Sequence, residues 1–455
     1  SFRTQHLFEK MSMSHADAAA TTQAFNKVND EMAKMALDDL PQDNLFDDAF
    51  DEEEEDPAAK GKNGEGKKQR SWLGKVGKGL YRRTANLASS VGLVDTPMTK
   101  EEEDTKNKVL ACRSPYASAT GGIAIQDAAE AKVCRSVIML MVKNLGKSLL
   151  KEGNVMNTSF PIQCCQPKTI LDIGAAMAGY THIYMPRAVQ ATDPVERMRN
   201  VVACFIGTMT LTSGNFLKPL NPILGETLQV EYADGAKLYM EQTCHHPPVS
   251  SFYFTGPDDS YTCHGSQTFN VGWGYNKMMI TSKGRRNMCF KDGTVISFDY
   301  PEDRWGNVFW GEMHHESLGV QTFEDAKNKI RCKIFFGNEG KKGLPTDYFE
   351  GVIERYDPAN PDAEGTQVFS NVEGSWVGFC DFDKVRYWDV RTCEKMAMSK
   401  PRNLLPSDSC FRADSIALAK KDIPTAQAAK LELEGVQRYE RKLREAVHGK
   451  NSGAH

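Results

Sequence analysis

The sequence lacks any long apolar run. Its unbroken hydrophobic stretches reach six residues, as at 137–142, whereas a helix that crosses a bilayer needs about 20. The chain starts at Ser1 without an apolar segment of the signal-peptide type. We therefore expect a protein that is neither secreted nor inserted across a membrane.

Cysteine pairs and a strong charge excess are also missing. The 12 cysteines include no C-x-x-C pair and none of the even spacing of a disulfide framework, which indicates reduced thiols in a cytosolic protein. The formal net charge of −4 and the pI near 6.2 argue against a nucleic-acid-binding protein. Hydrophobic residues make up 40% of the chain, but the first hundred residues are poor in them and are expected to stay unfolded in water.

One short run is unusually rigid. Residues 241–248 read Glu-Gln-Thr-Cys-His-His-Pro-Pro, and the prolines hold His245 and His246 on a stiff, extended segment where they can donate hydrogen bonds to an anion. The run resembles the fingerprint of the oxysterol-binding protein family, Glu-Gln-Val-Ser-His-His-Pro-Pro. Thr243 and Cys244 replace the family's Val and Ser.

Further blocks follow in the order of that family. Residues 218–226 read Lys-Pro-Leu-Asn-Pro-Ile-Leu-Gly-Glu and resemble its Lys-Pro-Phe-Asn-Pro-Leu-Leu-Gly-Glu. Matching residues downstream are Glu373–Trp376, Leu405–Ser409, Arg412, Asp414, Lys430, Glu434, Gln437 and Arg438. The likeness covers roughly 155 to 447. The chain is identified as a member of the family, in a short form without an evident pleckstrin-homology domain.

The middle of the chain has the period of β-strands. Leu228, Val230 and Tyr232 alternate with polar residues, and the Asp234-Gly235 pair predicts a hairpin turn. Similar runs lie at 252–254, 268–273, 277–280, 296–300, 330–336 and 348–356. They predict an α+β fold whose large, incomplete antiparallel β-barrel encloses a lipid tunnel. The resemblance adds an N-terminal helical lid and C-terminal helices.

We expect four segments along the chain. The expected segments are a disordered arm at 1–110, a lid and lead-in at 111–163, the lipid-transfer domain at 164–447 and a flexible tail at 448–455. The arm contains an acidic tract at 43–56 and a basic amphipathic segment at 67–94.

The basic segment of the arm is predicted to anchor the chain to membranes. Between Lys60 and Arg83 there are nine basic residues and one acid. On a helix the apolar residues would share one side, and an anionic lipid surface would favour that helix. The expected anchoring residues are Trp72, Leu73, Lys75, Val76, Lys78, Leu80 and Arg82. An ordinary domain-packing helix is the alternative.

The acidic tract holds nine carboxylates around the run Phe-Asp-Asp-Ala-Phe-Asp. This run is similar to the two-phenylalanine acidic motif with which lipid-transfer proteins dock onto receptors of the endoplasmic reticulum. The docking residues would be Phe46, Asp48, Ala49 and Asp51. A solvated acidic linker is the alternative.

A charged face on the last predicted helix supplies the second half of the site. Lys430, Glu434 and Arg438 are spaced i, i+4, i+8 and share one face, although a plain surface ladder of ion pairs has the same spacing. The resemblance implies that they join the earlier motifs around a lipid headgroup. The implied headgroup-binding residues are Lys218, Leu220, Asn221, Glu226, His245, His246, Lys430, Glu434 and Arg438.

Motifs for catalysis or metal binding are not found. Adjacent residues such as His245 and His246 point to opposite faces of an extended strand, which is poor geometry for a shared zinc ion. The run His314-His315-Glu316 lacks the spacing of H-E-x-x-H and is expected on the surface. No phosphate-binding glycine loop or nucleophile elbow is present. We expect no enzyme activity, no metal and no cofactor.

The resemblance implies a lipid-transfer protein. It would bind phosphatidylinositol 4-phosphate and, in the same tunnel, a sterol, phosphatidylserine or another lipid, and exchange them between membranes at contact sites. Its other partners would be anionic membrane surfaces and an endoplasmic-reticulum receptor of the VAP type, not nucleic acid. It would be cytoplasmic and peripheral at membranes. The alternative is a lipid-dependent sensor or scaffold without net transport.

Overall fold

The protein is described here by a computed structural model. The described residues are 98–448, apart from 140–161 and the single positions 137, 246, 275, 339, 340 and 342. The helices are α1 (Lys100–Cys112), α2 (Ile170–Gly174), α3 (Thr181–Gln190), α4 (Pro194–Thr212), α5 (Ala413–Ala419) and α6 (Ile423–His448). Residues 128–136 are also helical.

The strands are β1 (Ile123–Ala124), β2 (Cys165–Thr169), β3 (Lys218–Leu220), β4 (Thr227–Tyr232), β5 (Lys237–Cys244), β6 (Val249–Thr255), β7 (Tyr261–Gly274), β8 (Lys277–Lys283), β9 (Arg286–Phe290), β10 (Val295–Phe298), β11 (Glu302–Gly306), β12 (His314–Asp325), β13 (Ile330–Phe336), β14 (Tyr348–Arg355), β15 (Gln367–Ser375), β16 (Phe379–Phe382), β17 (Val385–Asp389) and β18 (Met398–Ser399).

A single antiparallel sheet of 16 strands dominates the fold. Its main path runs from β17 back along the chain to β4 and ends at β18, while β2 and β3 form a separate parallel pair. Two routes connect the long strands β7 and β12. Strands β8 and β11 connect one half of β7 to β12, and β9 and β10 connect the other half. The sheet therefore splits into two branches between β7 and β12.

The strands form where the sequence alternates. In β4 the buried positions are Leu228, Val230 and Tyr232, and the residues between them are more exposed. Gly235 adopts a φ of +90° in the turn to β5, a conformation that suits glycine. The hairpin predicted at this place is present, and β4 pairs with β5 in antiparallel register.

Helix α4 lies inside the curved sheet. Asp193 caps its first turn by accepting a hydrogen bond from the Val195 backbone, and Pro194 occupies the first helical position. Every residue from Arg197 to Thr208 is buried except Arg199. The helix shares one apolar core with strands from β4 to β17, which is the environment expected for a helix that is hydrophobic all round. Phe205 and Met209 of this helix also line the cavity described below.

The structured part begins earlier than the sequence suggested. The arm was expected to reach residue 110, but α1 begins at Lys100, where Thr99 and Glu102 form a capping box. Val109 and Cys112 are buried against strand β16 and its neighbours. The N-terminal cap and the burial of two apolar side chains stabilise α1. The low average hydrophobicity of this segment had placed it in the arm.

Part of the expected lid and lead-in segment belongs to the body of the domain. Arg113 makes an ion pair with the buried Asp347, with 2.6 Å between the guanidinium and the carboxylate, and β1 pairs with the start of β12. The helical residues 128–136 follow, and their Cys134 is buried among residues of β8 and the loop before β12. In the described residues, the helix expected to cover the tunnel thus begins near 128.

Several sequence-based expectations lie outside the described residues. They are the acidic tract at 43–56, the basic segment at 67–94, the tail after 448 and His246. Among the described helices, none is long and apolar enough to cross a membrane.

Candidate functional site

A cavity of about 730 Å³ lies between α4, the inner face of the sheet and α6. Its walls are mostly apolar. Apolar side chains from the sheet and from α4 line it, among them Phe205, Met209, Met240, Phe252, Phe269, Val271, Met278 and Ile280. The cavity reaches solvent at α6, where the side chain of Arg438 is 58% exposed. Its size and lining suit an elongated apolar ligand with a polar end at the mouth.

Cations from two distant parts of the chain meet at the mouth. Lys218 lies on β3 and Lys430 on α6, and both line the cavity. Burial raises the pKa of Cys165, which pairs with Lys218 across β2 and β3, and the positive charges of both lysines oppose that rise. Both lysines therefore lie close to the same buried thiol.

Helix α6 carries most of the positive charge. Glu434 lies between two cations: its carboxylate is 2.5 Å from Lys430 Nζ and 3.6 Å from the guanidinium of Arg438. Arg441 and Arg444, one and two turns further on, also line the cavity. The cavity-facing side of this helix thus presents four cations and one carboxylate, an arrangement that favours a phosphate or another polyanion.

His245 follows the last residue of β5 and lines the mouth. The segment before it is braced from within: Gln242 Nε2 donates to the Cys244 carbonyl over 2.8 Å, and Ser250 donates to Gln242 Oε1 over 2.7 Å. Thr243, one of the two departures from the family fingerprint, lies 3.0 Å from the Ser251 hydroxyl. Neither departure displaces His245 from the cavity wall.

Asn221 and Glu226 belong to one loop that Arg412 holds in place. One terminal nitrogen of Arg412 donates to the Asn221 carbonyl over 2.7 Å and to the Glu226 carboxylate over 2.8 Å. Its Nε and its other terminal nitrogen donate to both carboxylate oxygens of Asp414. Asn221 lines the cavity, whereas Glu226 lies behind it. Glu226 is therefore placed to brace the loop and not to contact a ligand.

Two buried carboxylates share the single guanidinium of Arg412. Burial raises the pKa of Glu226 to about 7, even though Arg412 opposes the rise. Burial by itself would lower the pKa of Arg412. Hydrogen bonding to Asp414 and the charges of Asp414 and Glu226 outweigh burial, so the pKa of Arg412 is raised. Glu226 therefore titrates beside the ion pair of Arg412 and Asp414.

Leu220 was expected among the headgroup-binding residues. It lines the cavity, but only 2% of its surface is exposed. Most of the side chain packs in a small apolar cluster with residues of β2, α5 and α6. Leu220 thus joins the wall of the mouth to the helix that carries the cations.

Sequence reasoning missed some of these residues. It quoted Arg412 and Gln437 as matching positions without giving them a role, and it did not single out Arg441 or Arg444. The signal for the last two was present, because both continue the cavity-facing side of α6 at intervals of three and four residues.

The run from His314 to Glu316 was expected on the surface, and this prediction is wrong. All three residues are buried in β12. His315 Nδ1 accepts a hydrogen bond from the Gly214 backbone, and Arg304 Nε lies 2.5 Å from Glu316 Oε2. The cause is non-local, since β1 covers this end of β12. Among the described residues, no group of three His, Cys, Asp or Glu side chains could hold a metal ion.

Relatives of the chain carry a common family description. The family profile named Oxysterol-binding protein matches residues 136–393. Oxysterol-binding protein 9 of Dictyostelium discoideum is 29% identical over 360 residues, which cover 75% of this chain and 82% of that protein. The match with oxysterol-binding protein homolog 3 of Saccharomyces cerevisiae, at 26% identity, covers 69% of this chain but 32% of that longer protein.

Solved structures share the fold. The Osh3 ORD from Saccharomyces cerevisiae in complex with PI(4)P has a TM-score of 0.56 at 21% identity, over 73% of this chain and 87% of that one. The Osh1 ORD domain in complex with ergosterol has a TM-score of 0.55 at 16% identity, over 77% and 89%. The predicted fold class is confirmed. Because the family profile spans more than half of its 455 residues, the chain belongs to the oxysterol-binding protein family.

Proposed function

We propose that this protein is a lipid-transfer protein that holds the headgroup of phosphatidylinositol 4-phosphate at the mouth of its cavity. The observation that carries the proposal is the meeting of Lys218, Lys430, Arg438 and His245 at the open end of an apolar cavity. Lys218 and Lys430 lie 212 positions apart in the chain. Their convergence on one opening fits a polyanionic headgroup whose acyl chains fill the space behind.

The energetics explain why such a cavity is useful. Each methylene group left in water costs about 0.8 kcal/mol, so a lipid leaves a bilayer slowly without a carrier. The apolar walls remove most of that cost during transport. The cations at the mouth then select for the charge and the shape of the headgroup.

The same cavity is proposed to carry a second lipid, a sterol or another lipid, in exchange for the first. The solved relatives support this, because an Osh3 ORD was crystallised with PI(4)P and Osh1 ORD domains with ergosterol and with cholesterol. A cavity that holds one lipid at a time would couple the two cargoes. The exchange is proposed to take place between membranes at contact sites, by a cytoplasmic and peripheral protein.

Transfer between donor and acceptor liposomes tests the headgroup site. Lys430→Ala removes a cation that lines the mouth, and His245→Ala removes the imidazole beside it. Each is expected to lower the rate of phosphatidylinositol 4-phosphate transfer by at least about tenfold, because a lost charged hydrogen bond of 1.5–3 kcal/mol corresponds to that factor.

Matched controls come from the same elements. Lys442→Ala changes an exposed lysine of α6 that does not line the cavity, and His264→Ala changes an exposed histidine on β7. Both should transfer the lipid like the wild type. Equal transfer by Lys430→Ala, His245→Ala and the wild type would remove the proposed site. Tight binding without transfer by the wild type would favour a lipid-dependent sensor instead.

The arm is proposed to bring the protein to membranes. Deleting residues 60–94 should reduce sedimentation with anionic liposomes, and the same deletion should leave binding to neutral liposomes unchanged. The run of Phe46, Asp48, Ala49 and Asp51 is proposed to dock onto a receptor of the VAP type. Replacing Phe46 by Ala and measuring binding to that receptor tests this second contact.

A further inference from the structure

The inner end of the cavity is polar, unlike its walls. It lies where the sheet splits, at the start of β9, in the turn between β10 and β11 and in the middle of β12. Arg286, Tyr300 and Gln321 come from these three places and line the cavity together. We call these three residues the floor. Where a sheet splits, some backbone groups lose their hydrogen-bond partners on the neighbouring strand. Polar side chains can form those hydrogen bonds instead.

Arg286 is the central group of the floor. One of its terminal nitrogens donates to the Asp299 carbonyl over 2.6 Å. Its guanidinium carbon lies 4.5 Å from the ring centre of Phe298 and 4.0 Å from that of Tyr300. Its Nε is buried without a hydrogen-bond partner, and Arg286 makes no ion pair with any of the described residues. A buried cation therefore faces the cavity with donor capacity to spare.

The neighbours of Arg286 do not neutralise it. Gln321 Nε2 donates to the same Asp299 carbonyl over 2.9 Å, and the carboxylate of Asp299 is turned to the Thr322 backbone, 2.9 Å away. The Tyr300 hydroxyl is buried and has no hydrogen-bond partner in the described part of the chain. The floor thus presents two unpartnered donors, the Arg286 Nε–H and the Tyr300 hydroxyl.

Other buried arginines of the same domain behave differently. Arg331 lies 2.7 Å from the carboxylate of Glu354, and Arg412 is paired with both Glu226 and Asp414. Burial lowers the pKa of Arg286, and the nearby carboxylates of Asp299 and Asp303 only partly offset this. An arginine that served packing alone would be expected to have a carboxylate beside it, because an unpaired buried charge is costly.

We propose that the floor binds the acidic end of a lipid that enters the cavity with that end first. A carboxylate would accept hydrogen bonds from Arg286 and from the Tyr300 hydroxyl, and it would supply the missing counter-charge. A plain hydroxyl would satisfy the donors but leave the cation unpaired. The inference rests on the proposed lipid cavity and gives the second cargo a chemical class: a long-chain acid or an acidic sterol derivative.

The test compares two probes that differ only at their polar end. The full-length protein is mixed with phosphatidylcholine vesicles that contain a trace of radiolabelled oleate or of oleyl alcohol, at a pH where the acid is ionised. The vesicles are then spun down. The supernatant should hold about tenfold more oleate than oleyl alcohol bound to the protein, since hydrogen bonds to a charged group are the stronger ones. Equal extraction of the two probes by the wild type would overturn the proposal.

Variants separate the floor from the mouth. Arg286→Met should remove the preference for oleate and Arg286→Lys should keep most of it, whereas Lys442→Met, which changes an exposed lysine of α6 outside the cavity, should leave it unchanged. If Lys430→Met abolishes the preference and Arg286→Met does not, the acid binds at the mouth, and the floor proposal fails while the headgroup site stands.

Folding of the variants is checked by thermal unfolding. Tyr300→Phe removes only a hydroxyl that has no partner, so it should fold normally. It is expected to lower the preference for oleate by about threefold, the effect of one weakened hydrogen bond. If Arg286→Met does not fold, an unchanged preference in Tyr300→Phe overturns the proposal.

Discussion

Helices α4 and α6 line the same cavity, and they use charge in opposite ways. On α4 the charged side chains are satisfied inside the protein: Arg197 donates to the carbonyls of Ala188 and Ala191 and pairs with Asp292 at 2.6 Å. On α6 the cations around Glu434 are partly exposed, and they outnumber the acids that face the cavity.

The comparison distinguishes two kinds of charged side chain. Those on α4 stabilise the fold, and those on α6 are available to bind a ligand. Partly exposed pairs such as Arg438 with Glu434 contribute little to stability, typically 0–1 kcal/mol. Their positive charge can therefore be redirected to an anion without loss of the fold. A buried arginine with two backbone acceptors has no such freedom, because leaving would strand those carbonyls.

The test with the largest expected change in stability compares two arginine substitutions. Arg197→Met removes the donor to two buried carbonyls and the partner of Asp292, whose pKa Arg197 holds well below its usual value. We expect a loss of about 3 to 5 kcal/mol in the free energy of unfolding, measured with urea. Arg441→Met, on the cavity-facing side of α6 where the arginine side chain is 55% exposed, should change it by less than about 0.5 kcal/mol. Similar losses for both variants would contradict the contrast.

Glu226, which braces the loop behind the cavity wall, gives the second test of this contrast. The pKa of Glu226 in the folded protein is raised from 4.5 to about 7. Its contribution to stability is therefore fully present below pH 4.5 and lost as the pH rises through about 7. Relative to the wild type, Glu226→Gln should gain stability across this window, by roughly 3 kcal/mol at most.

Urea unfolding of both proteins at several pH values checks this expectation. A Glu226→Gln difference that does not change with pH would show that burial does not raise the pKa of Glu226.

Two glycines give the third and fourth tests. A Cβ atom added to Gly207 of α4 would lie 2.8 Å from Nε1 of the buried Trp388. Gly207→Ala should therefore destabilise the protein by about 1 to 2 kcal/mol, despite the better helix propensity of alanine. A midpoint of thermal unfolding equal to that of the wild type would contradict close packing around α4.

The same substitution on α6 should have the opposite and smaller effect. A Cβ atom at Gly435 would meet no atom within 4 Å. Gly435→Ala is expected to stabilise the protein by about 0.5 to 1 kcal/mol, because alanine is the better helix former. Thermal unfolding measures this as well, and a destabilised Gly435→Ala would mean that this face of α6 is covered.

The sequence was most informative where local pattern and burial agree. The alternation of Leu228, Val230 and Tyr232 predicted β4, and the hairpin after it, because one face of that strand packs into the main apolar core. The resemblance brought Lys218 and Lys430 into one hypothesis, although 212 positions separate them in the chain, and the structure places both on one cavity. Their role in binding a headgroup stays a prediction.

Local pattern failed where distant segments decide the environment. His314 and His315 look like surface residues in the sequence, but β1 and the loop before it bury them. Nothing near Arg286 in the sequence marks it as part of a cavity floor, since that depends on where the sheet splits. The start of α1 was missed because average composition hid the capping box of Thr99 and Glu102.

The position of α1 has a consequence for how the chain is made. Lys108 on this helix contacts Glu373, 265 residues further along, and also Asp381 on β16. At 5 to 20 residues per second of synthesis, α1 waits roughly 15 to 50 s for these partners to be translated. Until then Val109 and Cys112 cannot complete their contacts with Tyr348 and Phe379. The first helix of the domain is therefore among the last elements to pack.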